Sequence, residues 1–271
     1  MMTGDKIAAA RKAKHLTQEA LAQKLGVSFQ AVSGWERGES IPDIPHLQLL
    51  SRELDVSIDR LLSQDEHPWQ MREKLFDEER MYTYLKAKAQ SLGLSQTLAA
   101  LPFARACHQG QFRKGGKAVP YIIHPLTMAC HAFAMGLADD DVLAALLLHD
   151  VIEDTDTRPD ELPVSSRVRE AVCLVSYDTY PGPKAEIKRT YYDHIAENPL
   201  ACLIKCVDRC NNLSGMAYGF ARSRMAEYVV ETEKEILPLL DVIKSVPEWN
   251  HAAWLLRYQI ASLLETFKRF L

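Results

Sequence analysis

The most informative segment of the chain is Leu146–Thr155, which has the sequence LLLHDVIEDT. An apolar run typical of a buried helix passes here into four ionisable side chains. Burying such groups costs free energy unless they bind a partner, and a metal ion is one partner that suits them. On a helix, the adjacent residues His149 and Asp150 project about 100° apart and can both contact one ion from one side. Glu153 and Asp154 follow one turn later, close enough to act on a water molecule beside the ion.

Two more candidate ligands lie far from this segment along the chain. His124 precedes Pro125, a placement that suits the first turn of a helix. Asp208 lies in the apolar frame LIKCVDR at 203–209, where a charge is costly unless it binds something. With the histidine–aspartate pair above, they form a His…His-Asp…Asp pattern that suits manganese, iron or zinc better than calcium. The alternatives are that His124 packs against the proline and that Asp208 pairs with a neighbouring basic residue.

Helical periodicity runs through the whole chain, so we expect an all-α protein with two domains. Residues 3–62 contain five short helical segments separated by glycine and proline breaks. The segment SQDEHP at 63–68 is polar and contains a proline, which indicates a domain boundary. We predict an N-terminal five-helix domain, a linker or the start of a connecting helix, and a C-terminal helical bundle at 1–65, 66–77 and 78–271, respectively.

The composition of the chain excludes several classes of protein. Hydrophobic and charged residues make up 47% and 25% of the chain, so neither part need be disordered. The net charge of −4 argues against indiscriminate nucleic-acid binding, so a DNA contact requires a local basic face. Because there is neither an apolar run of about 18 residues nor a signal peptide, we expect a cytoplasmic protein with no membrane partner. Cys202, Cys206 and Cys210 recur along one side of a helix, and we interpret them as reduced core residues.

Residues 17–38 contain two helical segments joined by a tight turn, with the sequence TQEALAQKLGVSFQAVSGWERG. The second helix of such a pair lies in the major groove of DNA and contacts base edges. Gln30 can pair with adenine, and Phe29 can contact the methyl group of thymine. The residues that we predict on the exposed side of this helix are Ser28, Phe29, Gln30 and Ser33, with Arg37 near a phosphate.

This segment resembles the Xre/Cro-type repressor domain, and the resemblance extends over most of the predicted N-terminal domain. It implies a helix-turn-helix domain that binds double-stranded DNA, usually as a homodimer on a palindromic site. It also places Gln18 among the residues that contact DNA. The alternative is a domain for protein interaction or dimerisation.

Four separated motifs in the C-terminal part carry a second resemblance. They are HQGQFRK at 108–114, YIIHPL at 121–126, HDVIEDT at 149–155 and IKCVDRCNNL at 204–213. In this order they resemble the hydrolase domain of RelA/SpoT homologues, and more closely the stand-alone small alarmone hydrolases, over residues 78–268. The resemblance implies an HD-domain helical bundle and a manganese-dependent enzyme. Such an enzyme removes the 3′-pyrophosphate from (p)ppGpp and yields GDP or GTP.

The resemblance also implies roles for individual residues. The metal ligands, which hold one Mn²⁺ per chain, are His124, His149, Asp150 and Asp208. The residues that act on the attacking water and the proton balance are Glu153 and Asp154. The substrate-binding residues are Arg113, which stacks on the base, Lys114 beside it, Asn212 near the sugar, and Lys205.

The chain departs from many long members of the family, which have histidine at Asn211 and in some cases threonine at Gly215. These departures leave the preference for base or phosphate open. No synthetase motif follows the last helical segment, so we expect the protein to degrade the nucleotide and not to make it.

Three basic residues after the PGP segment at 181–183 are further candidates for binding phosphate, namely Lys184, Lys188 and Arg189. Their charge would offset that of the leaving pyrophosphate, although a solvated helix face explains them equally well.

Two alternatives to this hydrolase stay open. One is a transcription regulator whose HD domain senses a nucleotide without turning it over. The intact Glu153-Asp154 pair disfavours that reading, because a sensor has no need to activate water. The other is a phosphohydrolase for a different nucleotide, such as ppApp or NADPH.

Overall fold

The computed structural model describes residues 3–62, 77–113 and 119–271. Within these ranges every regular element is a helix, and the one β-type pairing is an isolated antiparallel bridge between Phe112 and Pro120. This finding confirms the predicted all-α fold. Among the same residues, no helix has both the length and the apolar character needed to span a membrane.

The chain divides into two compact units, residues 1–73 and 74–271. The predicted linker at 66–77 lies almost wholly outside the described residues, so the predicted boundary stays a prediction. The N-terminal unit contains α1 (Thr3–Ala13), α2 (Gln18–Leu25), α3 (Phe29–Glu36), α4 (Ile44–Leu54) and α5 (Ile58–Leu62).

Local signals set the tight turn between α2 and α3. The Thr17 hydroxyl accepts a hydrogen bond from the amide of Ala20 at 3.1 Å, and the Ser28 hydroxyl accepts one from the amide of Ala31 at 3.2 Å. These caps pair amides that the first turn of a helix otherwise leaves unbonded. Gly26 ends α2 in the left-handed region, with φ +68°, where a residue without Cβ is favoured.

The core of the N-terminal unit is formed by one apolar face from each helix. Its buried residues include Ile7, Leu21, Val32, Leu50 and Leu61.

At the edge of this core, an ion pair joins α1 to the end of α3. Arg11 Nε lies 2.7 Å from Glu36 Oε1, and Gln18 Nε2 donates to Glu36 Oε2 at 2.6 Å. Burial by itself would raise the pKa of Glu36, but the hydrogen bonds from Arg11 and Gln18 outweigh it and hold that pKa below its usual value. Glu36 is therefore ionised at neutral pH.

The C-terminal unit is a larger helical bundle. Its helices are α6 (Glu78–Leu92), α7 (Ser95–Cys107), α8 (Ile123–Ala134), α9 (Asp140–Leu148), α10 (Val151–Asp154), α11 (Ser166–Val175), α12 (Lys184–Ala196), α13 (Pro199–Gly215), α14 (Arg222–Glu231), α15 (Leu239–Lys244) and α16 (Asn250–Phe270). A turn of π-helix, Thr232–Ile236, continues α14.

Helix α9 forms the centre of the bundle. Every residue from Val142 to Leu148 is buried, and the helix packs against α7, α8, α11 and α13. A helix that is apolar on all sides is stable only inside such a core. The three cysteines of α13 are buried free thiols, as predicted, and burial raises the pKa of both Cys202 and Cys210 to about 12.

The HD segment differs from the prediction in one respect. Helix α9 ends at Leu148, and His149 and Asp150 form a turn before the single turn of α10. The prediction of one continuous helix through all four ionisable residues is therefore wrong. His149 Nδ1 lies 3.0 Å from the carbonyl oxygen of Leu146, and such a side-chain bond competes with the backbone bonds of a helix.

Candidate active site

The four predicted ligand residues converge in the C-terminal unit. His124 comes from the first turn of α8, His149 and Asp150 from the turn after α9, and Asp208 from the middle of α13. The distance from His124 Nε2 to Asp208 Oδ1 is 3.2 Å, and that from His149 Nε2 to Asp150 Oδ2 is 2.9 Å. The ligand atoms of His124, His149 and Asp150 all lie within 4.8 Å of one another, a group that can hold a metal ion.

The orientation of the two imidazoles fits metal binding. His124 Nδ1 lies 2.7 Å from Asn211 Oδ1, and His149 Nδ1 lies 3.0 Å from the carbonyl of Leu146. Each Nδ1 is thus engaged by an oxygen, and Nε2 of each ring points to the carboxylates, where it can bind a cation in place of a proton. His149 Nε2 is buried and makes no hydrogen bond despite its contact with Asp150. A buried polar atom without a bond indicates a missing partner, and a divalent cation between two carboxylates fits this position.

The carboxylates of the cluster are held in the ionised form. Burial by itself would raise the pKa of Asp150, but the charge of the neighbouring His149 outweighs burial and keeps that pKa well below its usual value. Burial likewise opposes the charge on Asp208, where the hydrogen bond with His124 and the charge of Lys205 keep the pKa low. Ionised carboxylates are the form that binds a cation.

Two carboxylates of α10 lie next to the cluster. Burial raises the pKa of Asp154 above its usual value, and the nearby charges of Asp150 and Glu153 act in the same direction. The backbone carbonyl of Asp154 accepts a hydrogen bond from Gln111 Nε2 at 2.7 Å. A carboxyl with a raised pKa beside a metal cluster is suited to exchange protons with water.

A cavity of about 610 Å³ opens beside the cluster. Its lining includes the predicted residues Arg113, Glu153, Asp154, Lys188, Lys205 and Asn212. Arg113 Nη2 donates to Asn212 Oδ1 at 2.9 Å, and Asn212 Nδ2 donates to Asp208 Oδ1 at 2.6 Å. The structure thus brings these two predicted nucleotide contacts together and links them to a predicted metal ligand.

The lining of the cavity also includes a group of cations that we call the basic wall: Lys188, Lys205, Arg209 and Arg224. Lys205 Nζ lies 3.6 Å from Asp208 Oδ2, so it connects the basic wall to the metal cluster. Within the cavity lining, these four cations are accompanied by Glu231 and by the carboxylates of the cluster and α10, and a local group of cations of this kind attracts an anionic ligand.

Three of the predicted substrate-binding residues are not brought to the cavity by the described structure. Arg189 does not line it: its side chain is 93% exposed and pairs with Asp193, one turn later on α12, so the solvated-face reading holds for Arg189. Lys114 lies outside the described residues. Lys184 begins α12, but its side chain is also outside the description.

Several residues of the site were not found from the sequence. Tyr121 donates to Asp150 Oδ2 at 2.5 Å, and Asn211 accepts from His124. Arg209, Tyr228 and Glu231 line the cavity. Arg209 offers one signal in the sequence, because it is a charged residue beside Asp208 in the apolar frame at 203–209, but an ion pair between these two neighbours would explain the same pattern.

The predicted DNA-contacting residues of the N-terminal unit have mixed exposure. Ser28 and Gln30 are exposed and Phe29 is 40% exposed, as expected for a recognition surface. Ser33 is only 6% exposed, so its prediction as an exposed residue is wrong. The guanidinium of Arg37, one turn later, donates a hydrogen bond to the Ser33 hydroxyl.

The remaining two predicted DNA contacts are already bonded within the unit. Arg37 pairs with Glu39 at 2.8 Å. Gln18 donates to Glu36, as described above. To contact DNA, Arg37 or Gln18 must therefore give up or share its hydrogen bond to the neighbouring carboxylate.

Together these features define the class of the protein. The His, His-Asp and Asp residues of one all-helical unit converge beside two carboxylates and a basic wall, which is the arrangement of an HD-type hydrolase domain. It is preceded by a helix-turn-helix unit.

Comparisons with known proteins agree with both assignments. The family model described as "Helix-turn-helix" matches residues 7–61. The chain is 42% identical over 66 residues to the HTH-type transcriptional activator BcrR of Enterococcus faecalis, a match that covers 24% of this chain and 32% of BcrR.

The C-terminal unit resembles nucleotide hydrolases. Human guanosine-3′,5′-bis(diphosphate) 3′-pyrophosphohydrolase MESH1 is 37% identical over 142 residues, which cover 49% of this chain and 79% of MESH1. The enzyme of the same name from Aquifex aeolicus is 33% identical over 145 residues, 52% of this chain but only 20% of that longer protein. A solved structure described as a metazoan ortholog of SpoT that hydrolyzes ppGpp has a TM-score of 0.52 and 26% identity, and covers 63% of this chain and 94% of its own. The chain belongs to the family of guanosine-3′,5′-bis(diphosphate) 3′-pyrophosphohydrolases.

Proposed function

We propose that this protein is a manganese-dependent hydrolase that removes the 3′-pyrophosphate of (p)ppGpp. The observation that carries the proposal is the convergence of His124, His149, Asp150 and Asp208 beside a cavity that also holds two carboxylates and a basic wall. The names of the family's members indicate the same substrate.

The four converging residues would hold the cation through two imidazole nitrogens and two carboxylates. A divalent ion in such a site polarises a phosphoryl oxygen and lowers the pKa of water. Asp154 and Glu153 are placed to accept the proton of the attacking water. In the overall reaction, the oxygen of that water forms a bond to the phosphorus next to O3′. The bond from this phosphorus to O3′ breaks, O3′ takes up a proton, and GDP or GTP leaves with pyrophosphate.

The cavity provides for both ends of such a substrate. Arg113 and Asn212 would bind the base and the sugar, in line with their contact at 2.9 Å. The basic wall would bind the phosphates and offset the charge that develops on the departing pyrophosphate. Lys205 is suited to the phosphate next to the cation because it already contacts Asp208.

A substrate panel tests this proposal. Purified protein with Mn²⁺ is incubated with ppGpp, pppGpp, ppApp, NADPH and nucleoside monophosphates, and the products are separated by chromatography. Pyrophosphate release from the guanosine substrates is the expected result. Inorganic phosphate from NADPH, or turnover of ppApp alone, would instead identify a phosphohydrolase for another nucleotide. Nucleotide binding without turnover of any substrate would identify a sensor.

Two variants and a metal series test the site. His149→Ala and Asp208→Ala are each expected to abolish turnover, and full activity in either variant would contradict the proposed ligand set. Activity of the metal-free protein is expected to return best with Mn²⁺. Stronger recovery with Fe²⁺ or Zn²⁺ would overturn the assignment of manganese.

We also propose that the N-terminal unit binds double-stranded DNA. The family match and the exposure of Phe29 and Gln30 on α3 support this proposal. A DNase footprint on promoter DNA is expected for the wild type and is expected to be lost in Gln30→Ala and Arg37→Ala. Absence of DNA binding at low salt, with association of another protein, would favour an interaction domain. Homodimerisation stays a prediction, which sedimentation of the protein with and without DNA tests.

A further inference from the structure

Glu231, the last residue of α14, is bonded to three side chains at the basic wall. Its carboxylate lies 2.6 Å from Arg209 Nη2 and 2.7 Å from Lys188 Nζ. It also accepts a hydrogen bond from the hydroxyl of Tyr192 at 3.0 Å. Among the described residues that line the cavity, Glu231 is the one carboxylate that belongs neither to the metal cluster nor to α10.

Arg209 is held rigidly from several directions. Its side chain is 3% exposed, and its guanidinium lies 3.8 Å from the centre of the Tyr228 ring. Arg209 Nη1 donates to the hydroxyl of Thr232 at 3.0 Å. Thr232 opens the turn of π-helix after α14, a type of irregularity that occurs often at functional sites. The contact with Glu231 therefore completes a fixed position for this cation.

Lys188 has more freedom, because its side chain is 41% exposed. Glu231 itself carries a full negative charge at neutral pH. Burial would raise the pKa of Glu231, but the hydrogen bond and charge of Arg209 outweigh burial and lower that pKa to about 2. The negative charge of Glu231 is thus shared between Arg209, which is buried, and Lys188, which is partly exposed. A phosphate group that enters the cavity competes with Glu231 for Lys188.

We propose that Glu231 is a positioning residue of the basic wall: it holds Arg209 and Lys188 in place and offsets part of their charge. The wall then binds a pyrophosphate group weakly enough to release it. This inference rests on the proposed function, because it places an anionic group of the substrate in this cavity. Glu231 thereby lowers the affinity for the pyrophosphate product and speeds its release.

The test is a calorimetric titration of inorganic pyrophosphate into the full-length protein, with the metal content of every sample measured and equal. Glu231→Gln keeps the shape of the side chain and removes its charge, so it is expected to bind pyrophosphate roughly fivefold more tightly. Glu231→Asp keeps the charge on a shorter side chain and is expected to bind pyrophosphate less tightly than Glu231→Gln does. Asp193→Asn is the matched control, since it removes one charge from the exposed pair on α12 and is expected to change nothing.

Steady-state kinetics with the substrate give a second readout. Glu231→Gln is expected to lower both KM and kcat for the nucleotide, because the product anion is held longer. A defect of packing alone would lower kcat and the melting temperature without strengthening pyrophosphate binding. Unchanged or weaker pyrophosphate binding by folded Glu231→Gln protein would overturn the inference.

Two further outcomes keep the inference separate from the proposed function. If the Glu231→Gln variant does not fold, pyrophosphate binding is measured with the Lys188→Gln variant instead, because the Lys188 side chain is partly exposed. Weaker pyrophosphate binding is expected in this variant. Wild-type binding would overturn the inference. If the wild type hydrolyses no guanosine substrate, the proposed function fails. The pyrophosphate titration still judges the role of Glu231 in that case.

Discussion

Replacement of Asn211 by alanine is expected to weaken metal binding without removing a ligand. Asn211 Oδ1 accepts the hydrogen bond of His124 Nδ1 at 2.7 Å, and the His124 side chain is only 2% exposed. The substitution leaves a buried donor without a partner, at a cost of about 1–3 kcal/mol. Loss of a group that orients a histidine ligand typically lowers metal affinity about 10- to 100-fold. Since a tenfold change equals about 1.4 kcal/mol, this loss of affinity corresponds to about 1.4–2.8 kcal/mol of metal-binding free energy, separate from the folding penalty.

The assay is competition for Mn²⁺ between the metal-free protein and a fluorescent chelator. Asn211→Asp retains an oxygen acceptor for His124 and is expected to bind Mn²⁺ at least as tightly as the wild type. Ser214→Ala, at an exposed position on the same helix, is the matched control and is expected to have no effect. Wild-type affinity in Asn211→Ala protein would refute the reasoning, because His124 would then be oriented by some other contact.

Three further predictions concern stability and the cluster. Glu36→Gln leaves buried Arg11 without its ion partner and is expected to destabilise the N-terminal unit by about 3 kcal/mol, measured by urea unfolding. The folded state lowers the pKa of Glu36, so the stability that the ionised carboxylate contributes is present above the usual carboxyl pKa and is lost as the pH falls through the lowered value. The stability of the wild type should therefore decline below about pH 4, and Glu36→Gln should lack this part of the decline. Leu147→Ala removes a fully buried side chain of α9 and is expected to cost about 3 kcal/mol in thermal unfolding, whereas an unchanged melting temperature would contradict the central position of that helix. Tyr121→Phe removes the hydrogen bond to Asp150 and is expected to lower Mn²⁺ affinity about tenfold with little change in melting temperature; equal affinity would show that the hydroxyl does not support the ligand.

The helices of the N-terminal unit could be predicted closely from the sequence. Thr17, Gly26 and Ser28 act on backbone groups within a few residues, so their effect on the chain is visible locally. The exposure of Ser33 was not visible in this way. Ser33 is buried and bonded to Arg37, and the helical period by itself determines neither its surroundings nor this contact.

The residues that converge in the cluster could also be predicted from the sequence, because ionisable groups in an apolar frame require a partner. The backbone that presents them was less accessible. Helix α9 ends at Leu148, where His149 bonds the carbonyl of Leu146, although the pattern of apolar residues continues past this point.

The amino-acid order alone therefore established the helical architecture, the tight turn of the N-terminal unit and the identity of the cluster residues, because each depends on neighbours a few positions away or on the cost of burying charge. The packing of α8, α12, α13 and α14 decided the rest. It alone places Asn211 against His124, 87 positions away, and Glu231 between Arg209 and Lys188, 22 and 43 positions away. Hydrogen bonds and ion pairs act over a few ångströms of space, so partners that are distant along the chain become apparent only when the helices have packed.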